Sequence, residues 1–165
     1  MQTNLDKFKS VFEDAGDGII AVDIKTQKFT FANPMMCQIT GYSLEELLKL
    51  GVVDIHPIKK LSYVKKQVQL QTSGKISLAE NIPVLRKDGS IFFCDINAKV
   101  TKIGNRKYLV GFFRDITRRL DLETLLNTRN KQIMALSQVN QTLVYATNEK
   151  DLLRDICHVL VNFGE

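Results

Sequence analysis

Residues 108–117, Tyr-Leu-Val-Gly-Phe-Phe-Arg-Asp-Ile-Thr, pass from an apolar, β-prone run into a polar helical pattern with no loop between them. A strand that feeds directly into a helix constrains the chain on both sides of the joint. The strand must find partners for its ladder, and the first N–H groups of the helix need acceptors. Asp115 and Thr117 are short polar side chains suited to that capping. Together with Arg114 they are the residues through which strain on the strand would reach the helix. By strand alternation Leu109, Gly111 and Phe113 share one face, and Tyr108, Val110 and Phe112 the other.

The rest of the chain reads as short elements set off by breakers. Leu5, Phe8, Val11 and Phe12 recur at helical spacing, so residues 4–14 form a short amphipathic helix, ended by Gly16 and Gly18. Ile19 to Val22 and Phe29 to Ala32 form a hairpin around a polar turn. Asn33-Pro34 is a helix start, and that helix ends near Gly41. Ser43-Leu44-Glu45-Glu46 is a capping box that opens a second short helix, expected to run through Leu50. Residues 59–72 carry Leu61, Val64, Val68 and Leu70 on a third. Ile76 to Leu85 is a strand whose Pro83 demands an edge or a bulge. Lys87-Asp88-Gly89-Ser90 is a hairpin turn. Phe92, Cys94, Ile96, Ala98 and Val100 then alternate with Phe93, Asp95, Asn97 and Lys99, a period of two with one face buried. The fold class is therefore α+β, an antiparallel five-stranded sheet with short helices on one face, plus an N-terminal helix and a long C-terminal helix. Periodicity leaves the strand order open.

Composition removes several functional classes. The formal charge of +5 comes from scattered basic pairs such as Lys59-Lys60, Lys65-Lys66 and Arg118-Arg119. No zinc-finger or RNA-binding signature accompanies them, so nucleic acid is not an expected partner. Cys37, Cys94 and Cys157 are too far apart for a metal or disulfide motif, and His56 and His158 have no ligand spacing, so no metal site is expected. His56, in a His-Pro turn, reads as a turn or surface histidine. No apolar run approaches the ~20 residues of a membrane span, and no secretory signal opens the chain. The segment reads as cytoplasmic. The paired acids Glu45-Glu46 and Asp14/Asp17 sit at helix ends and turns, where acids are common, and no catalytic set is recognisable.

The motifs Asp17-Gly18-Ile19-Ile20, Phe31-Ala32-Asn33-Pro34, Thr40-Gly41-Tyr42-Ser43-Leu44-Glu45-Glu46-Leu47, Asp54-Ile55-His56-Pro57, Arg86-Lys87-Asp88-Gly89 and Arg114-Asp115-Ile116-Thr117 occur in order. In this order and spacing the chain resembles the PAS fold from about Phe8 to Thr117. The resemblance implies a sensory or dimerisation module inside a larger signalling protein, a histidine kinase or a cyclic-dinucleotide enzyme. It also implies a ligand pocket between the sheet and the short helices, with Leu109, Gly111 and Phe113 facing it and Met36 as a further lining candidate. Phe113 stands where flavin-binding relatives carry a glutamine, and no Asn-Cys-Arg follows Gly51. Haem-binding relatives use a histidine on the helix matching residues 59–72, and none is there. Both cofactors are disfavoured, and the ligand is unknown.

After Thr117 the pattern changes. Leu122, Leu126, Arg129, Ile133, Leu136, Asn140 and Leu143 recur at alternating steps of four and three, the a and d positions of a heptad. Such a seam asks for a partner helix, so a homodimer through Leu122, Leu126, Ile133, Leu136 and Leu143 is expected. The N-terminal helix with outward Tyr108, Val110 and Phe112 offers another dimer surface. A break is expected near Ala146-Thr147-Asn148, and residues 136–160 resemble the opening of a GAF domain. The expected organisation is residues 1–15 an N-terminal helix, 16–117 the PAS domain, 118–146 a coiled-coil signalling helix and 147–165 the start of a GAF-like domain. Two functions compete: a sensor passing a ligand- or partner-induced change from sheet to helix, and a constitutive dimerisation spacer without a ligand. An independent enzyme is not expected.

Overall fold

The computed structural model describes residues 3–145. They fall into two compact units divided after Thr117. The first contains helix α1 (Asn4–Glu13), strands β1 (Gly18–Asp23) and β2 (Phe29–Ala32), helices α2 (Pro34–Thr40) and α3 (Leu44–Leu47), two single 3-10 turns (Val52–Ile55 and Ile58–Lys60), helix α4 (Leu61–Thr72), and strands β3 (Leu78–Leu85), β4 (Ile91–Ile103) and β5 (Arg106–Asp115). Helix α5 spans Thr117–Tyr145. The fold is α+β, with five strands in the order β2-β1-β5-β4-β3 and every neighbouring pair antiparallel.

The last strand in sequence thus lies at the centre. Gly111 sits between Ile20 of β1 and Ala98 of β4, and Phe113 between Gly18 and Ile96. The inward set Phe92, Cys94, Ile96 and Ala98 is buried with Ile20, Val22, Leu109 and Phe113, and Met36, Leu47, Ile55 and Val64 cover them. Pro83 lies on the edge strand β3, where its missing N–H costs no ladder bond. The register of β3 against β4 shifts between Ala79 and Ile82, where Asn81 adopts φ 54°.

Two elements are shorter than their patterns suggest. Helix α3 ends at Leu47, because the Leu50 carbonyl accepts the Phe29 N–H of β2 at 3.1 Å and Gly51 bridges to Lys28. The chain leaves the helix to meet the sheet edge. Strand β3 begins at Leu78, because the N–H groups of both Lys75 and Ile76 turn back to the Leu70 carbonyl at the end of α4.

One buried amide ties the N-terminal half together. The Asn33 side chain is fully buried. Its Oδ1 accepts the Ile19 N–H of β1 at 2.8 Å and the Met36 N–H of α2 at 2.9 Å. Its Nδ2 donates to the carbonyls of Phe12 at 3.2 Å and Asp17 at 3.0 Å. Asn33 is the helix cap expected from Asn-Pro, and it also fixes where α1 leaves off and β1 begins. Replacing it leaves two buried N–H groups without acceptors, and each orphan costs ~1–3 kcal/mol. Asn33→Ala should therefore lower the unfolding free energy by about 3 kcal/mol in a urea titration. A loss under about 1 kcal/mol, the ordinary value of an exposed cap, would contradict this role.

Candidate functional site

Between β1, β4, β5 and helix α4 the core leaves a cavity of about 40 Å³. Its wall includes Ile20, Val22, Ile55, Ile96, Ala98, Leu109, Gly111 and Phe113. The Phe113 ring is part of this wall. It lies over Gly111, where an added Cβ would come within 3.1 Å of the ring. Met36, a candidate lining residue, is buried elsewhere: it packs under the start of β1, with its Sδ 3.0 Å from where a Gly18 Cβ would stand.

Two polar side chains on the cavity wall are nearly inaccessible to solvent, His56 and Gln71, each 4% exposed. Of the expectation of a turn or surface histidine, the turn holds and the surface is corrected, because the ring is buried. The His56 ring is drawn inward because its Nδ1 lies 2.6 Å from the Pro83 carbonyl of β3. A carbonyl can only accept, so Nδ1 carries the hydrogen and Nε2 is the bare nitrogen. Burial disfavours the charged ring and pushes its pKa down, outweighing the bond to Pro83. Gln71 donates from Nε2 to the carbonyls of Ser77 at 3.1 Å and Ile96 at 2.8 Å, joining α4 to β4. Neither residue stood out as a site residue from the sequence. A signal for Gln71 exists, since Val64, Val68 and Gln71 follow i, i+4, i+7 on one helix face. None marks His56, whose partner is 27 residues away.

The joint between β5 and α5 is built from backbone and short side chains. Asp115 Oδ1 accepts the Thr117 N–H, the first in α5, at 2.8 Å. Thr117 does not cap the helix; its hydroxyl accepts the Phe93 N–H of β4 at 3.3 Å. The Phe93 carbonyl accepts the Ile116 N–H at 2.9 Å. One β4 residue thus holds both residues that follow the strand. Arg86 adds a second tie: its guanidinium pairs with Asp115 at 3.2 Å, donates to the Ile39 carbonyl at the end of α2, and lies 4.0 Å over the Phe92 ring. Arg86 was legible only as part of a turn motif. Arg114 faces outward and grips Asp17 with two bonds of 3.2 and 3.0 Å. That pair is exposed and contributes little to stability.

Cys94 is buried in the core, where desolvation pushes its thiol far above the usual range, and it is inert as a nucleophile. On α5, Leu122, Leu126, Ile133 and Leu136 are each more than half exposed. Leu143 falls on the same helix, with its side chain outside the described residues. The expected helix break near 146–148 and the GAF-like start at 147–165 also lie outside them. Among the described residues, no helix is long and apolar enough to cross a membrane.

A family model described as the PAS fold matches residues 6–116. The chain is 22% identical over 135 residues to the sensor histidine kinase TmoS of Ectopseudomonas mendocina, covering 80% of this chain and 14% of that protein. It is 22% identical over 135 residues to a methyl sulfide methyltransferase-associated sensor of Methanosarcina acetivorans, covering 82% of this chain and 13% of the relative. The chain therefore spans about one seventh of the length of these relatives. Among solved structures, a PAS domain from Colwellia psychrerythraea superposes with a TM-score of 0.62 at 21% identity, over 70% of this chain and 99% of that one.

His56 provides a check on how dry the cavity is. Its pKa is lowered from 6.5 on folding. Below that value the unfolded chain binds a proton that the folded one refuses, so stability is complete above about pH 6.5 and is lost as pH falls. Wild type should lose more stability than His56→Gln between about pH 7.5 and about pH 5.5 in urea titrations. Equal slopes would mean that the ring is accessible to water.

Proposed function

The chain belongs to the PAS family, and from that premise we propose that it is the sensory module of a multidomain signalling protein, a histidine kinase or a cyclic-dinucleotide enzyme. It is a regulatory segment, and catalysis would belong to the output domain. A change in the cavity, caused by a ligand or a partner, passes along β5 to α5. The observation that carries this reading is the position of Phe113 and Asp115, two residues apart on one strand. Phe113 is in the cavity wall, and Asp115 holds the first N–H of α5 and the Arg86 guanidinium. A shift of that strand bears on the start of the helix through the Asp115 bond to the Thr117 N–H, while Phe93 ties Ile116 and Thr117 to β4. Asp115 and Thr117 are the coupling residues. Arg114 steadies the outer face of the same strand.

The exposed stripe Leu122, Leu126, Ile133 and Leu136 supports pairing of α5 with a second copy, with Leu143 continuing the heptad. In this organisation residues 1–15 are an N-terminal helix, 16–117 the sensor, 118–146 the paired helix, and 147–165 the start of a GAF-like domain. The pocket residues are Leu109, Gly111 and Phe113. Flavin and haem are disfavoured, because Phe113 stands where flavin-binding relatives carry a glutamine and residues 59–72 contain no histidine.

A double-substitution cycle in the longer signalling protein tests the coupling without knowledge of the stimulus. Phe113→Ala opens the cavity and should change kinase or cyclase output several-fold. Added Asp115→Ala, which costs about 1 kcal/mol as a lost cap, should remove most of that effect. Additive effects on output would refute the coupling. An output indifferent to both changes yet lost on deleting α5 would favour a constitutive dimerisation spacer.

A further inference from the structure

The cavity has a chemical polarity that its apolar wall conceals. Its lining contains no positively charged side chain, and its polar members are His56, Gln67 and Gln71. Gln67 is partly exposed, whereas His56 and Gln71 are buried. Both buried residues have spent their donors on the protein. The Nδ1 hydrogen of His56 goes to the Pro83 carbonyl. Both Nε2 hydrogens of Gln71 are directed at carbonyls, those of Ser77 and Ile96. What remains on each is an acceptor: Nε2 of the neutral imidazole and Oε1 of the amide. Among the described residues, no fully enclosed side-chain nitrogen or oxygen lacks a partner. These two acceptors receive no protein donor, so each must border open space. For side chains this deeply buried, that space is the cavity they line.

We infer that the cavity recognises an uncharged, largely apolar small molecule by an N–H or O–H group donated to His56 Nε2 or Gln71 Oε1. The inference rests on the sensor reading above and specifies its ligand. Two bare lone pairs with no cation in the cavity lining repel a carboxylate or phosphate. The apolar wall penalises a charged ammonium group by its lost hydration. A molecule that offers only acceptors gains nothing at either residue. Phenols, indoles and small alcohols fit this pattern.

Size sets the second condition. A cavity of about 40 Å³ takes water, whereas benzene needs ~150 Å³. The room for a ring must come from Phe113, whose side chain lies over Gly111 rather than against a bulky neighbour on its own strand. Access is short. Val22, Val52, Val68 and Leu109 line both the cavity and an adjoining surface depression of about 520 Å³. A ligand that displaces Phe113 acts on the strand that carries Asp115, so recognition and signalling share one side chain.

The test uses phenol, benzene, anisole and benzoate with the whole chain. In Phe113→Ala, where size no longer limits entry, calorimetric titration should give phenol an affinity about tenfold tighter than benzene or anisole, the value of one hydrogen bond. Benzoate should not bind. His56→Leu in the same background should weaken phenol, and His56→Leu with Gln71→Leu should reduce it to the level of benzene. Independently, in the unsubstituted chain carrying 15N-labelled histidine, the His56 Nε2 resonance should move upfield with phenol and stay in place with benzene. Equal binding of phenol and benzene, or a preference that survives His56→Leu combined with Gln71→Leu, overturns donor recognition and leaves the cavity a ligand site. Failure of every probe to bind Phe113→Ala, with no resonance moving in the unsubstituted chain, overturns the ligand-sensing reading as well.

Discussion

Strand β5 comes last in the sheet's sequence order and lies in its middle, hydrogen-bonded to β1 on one side and to β4 on the other. The sheet cannot close until this strand is in place, because without it the N-terminal hairpin and the β3–β4 pair share no ladder. Its inward residues Leu109, Gly111 and Phe113 form part of the cavity wall, and the period of two places Asp115 on the same face. A central strand has neighbours on both sides to hold its register, so displacement at one end is not absorbed by fraying. The same strand is therefore a structural keystone, and in the proposed coupling it is the route from the cavity to α5.

Individually, the interactions that fix this path are modest. A cap contributes about 1 kcal/mol, and a partly exposed ion pair such as Arg86–Asp115 contributes about as much or less. Their effect comes from convergence. Phe93 of β4 engages Ile116 and Thr117, Asp115 engages Thr117 and Arg86, and Arg86 reaches back to the end of α2. At the start of β1, which pairs with the Phe112–Phe113 end of β5, Asn33 organises α1, β1 and α2 through four hydrogen bonds. Both knots use polar groups to fix where elements begin, while apolar burial supplies most of the driving force.

Local features were readable from the sequence because their causes are local. The alternation of Phe92, Cys94, Ile96 and Ala98 marks β4 with its buried face, and Asn33-Pro34 and the Ser43–Glu46 box mark two helix starts. Pro83 restricts β3 to an edge. What escaped the sequence depends on contacts between distant segments. His56 turns inward because a carbonyl on β3 receives it. The Thr117 hydroxyl, free by sequence to cap its own helix, is captured by the Phe93 N–H. Met36 was expected in the cavity wall beside Phe113, and the packing of α2 against Gly18 places it elsewhere. Composition could not indicate that the donors of the two buried polar side chains in the cavity wall are used by the protein, since that depends on where His56 and Gln71 direct their hydrogens.

Hydrogen exchange at the Phe93 and Thr117 amides tests the central claim most directly, with wild type compared with Phe113→Ala under native conditions. If β5 couples the cavity to the helix, relieving the cavity should lower protection at both amides, while the amides of β2, at the far edge, keep theirs relative to wild type. Unchanged protection at Phe93 and Thr117, with the loss confined to residues around the cavity, would contradict the account.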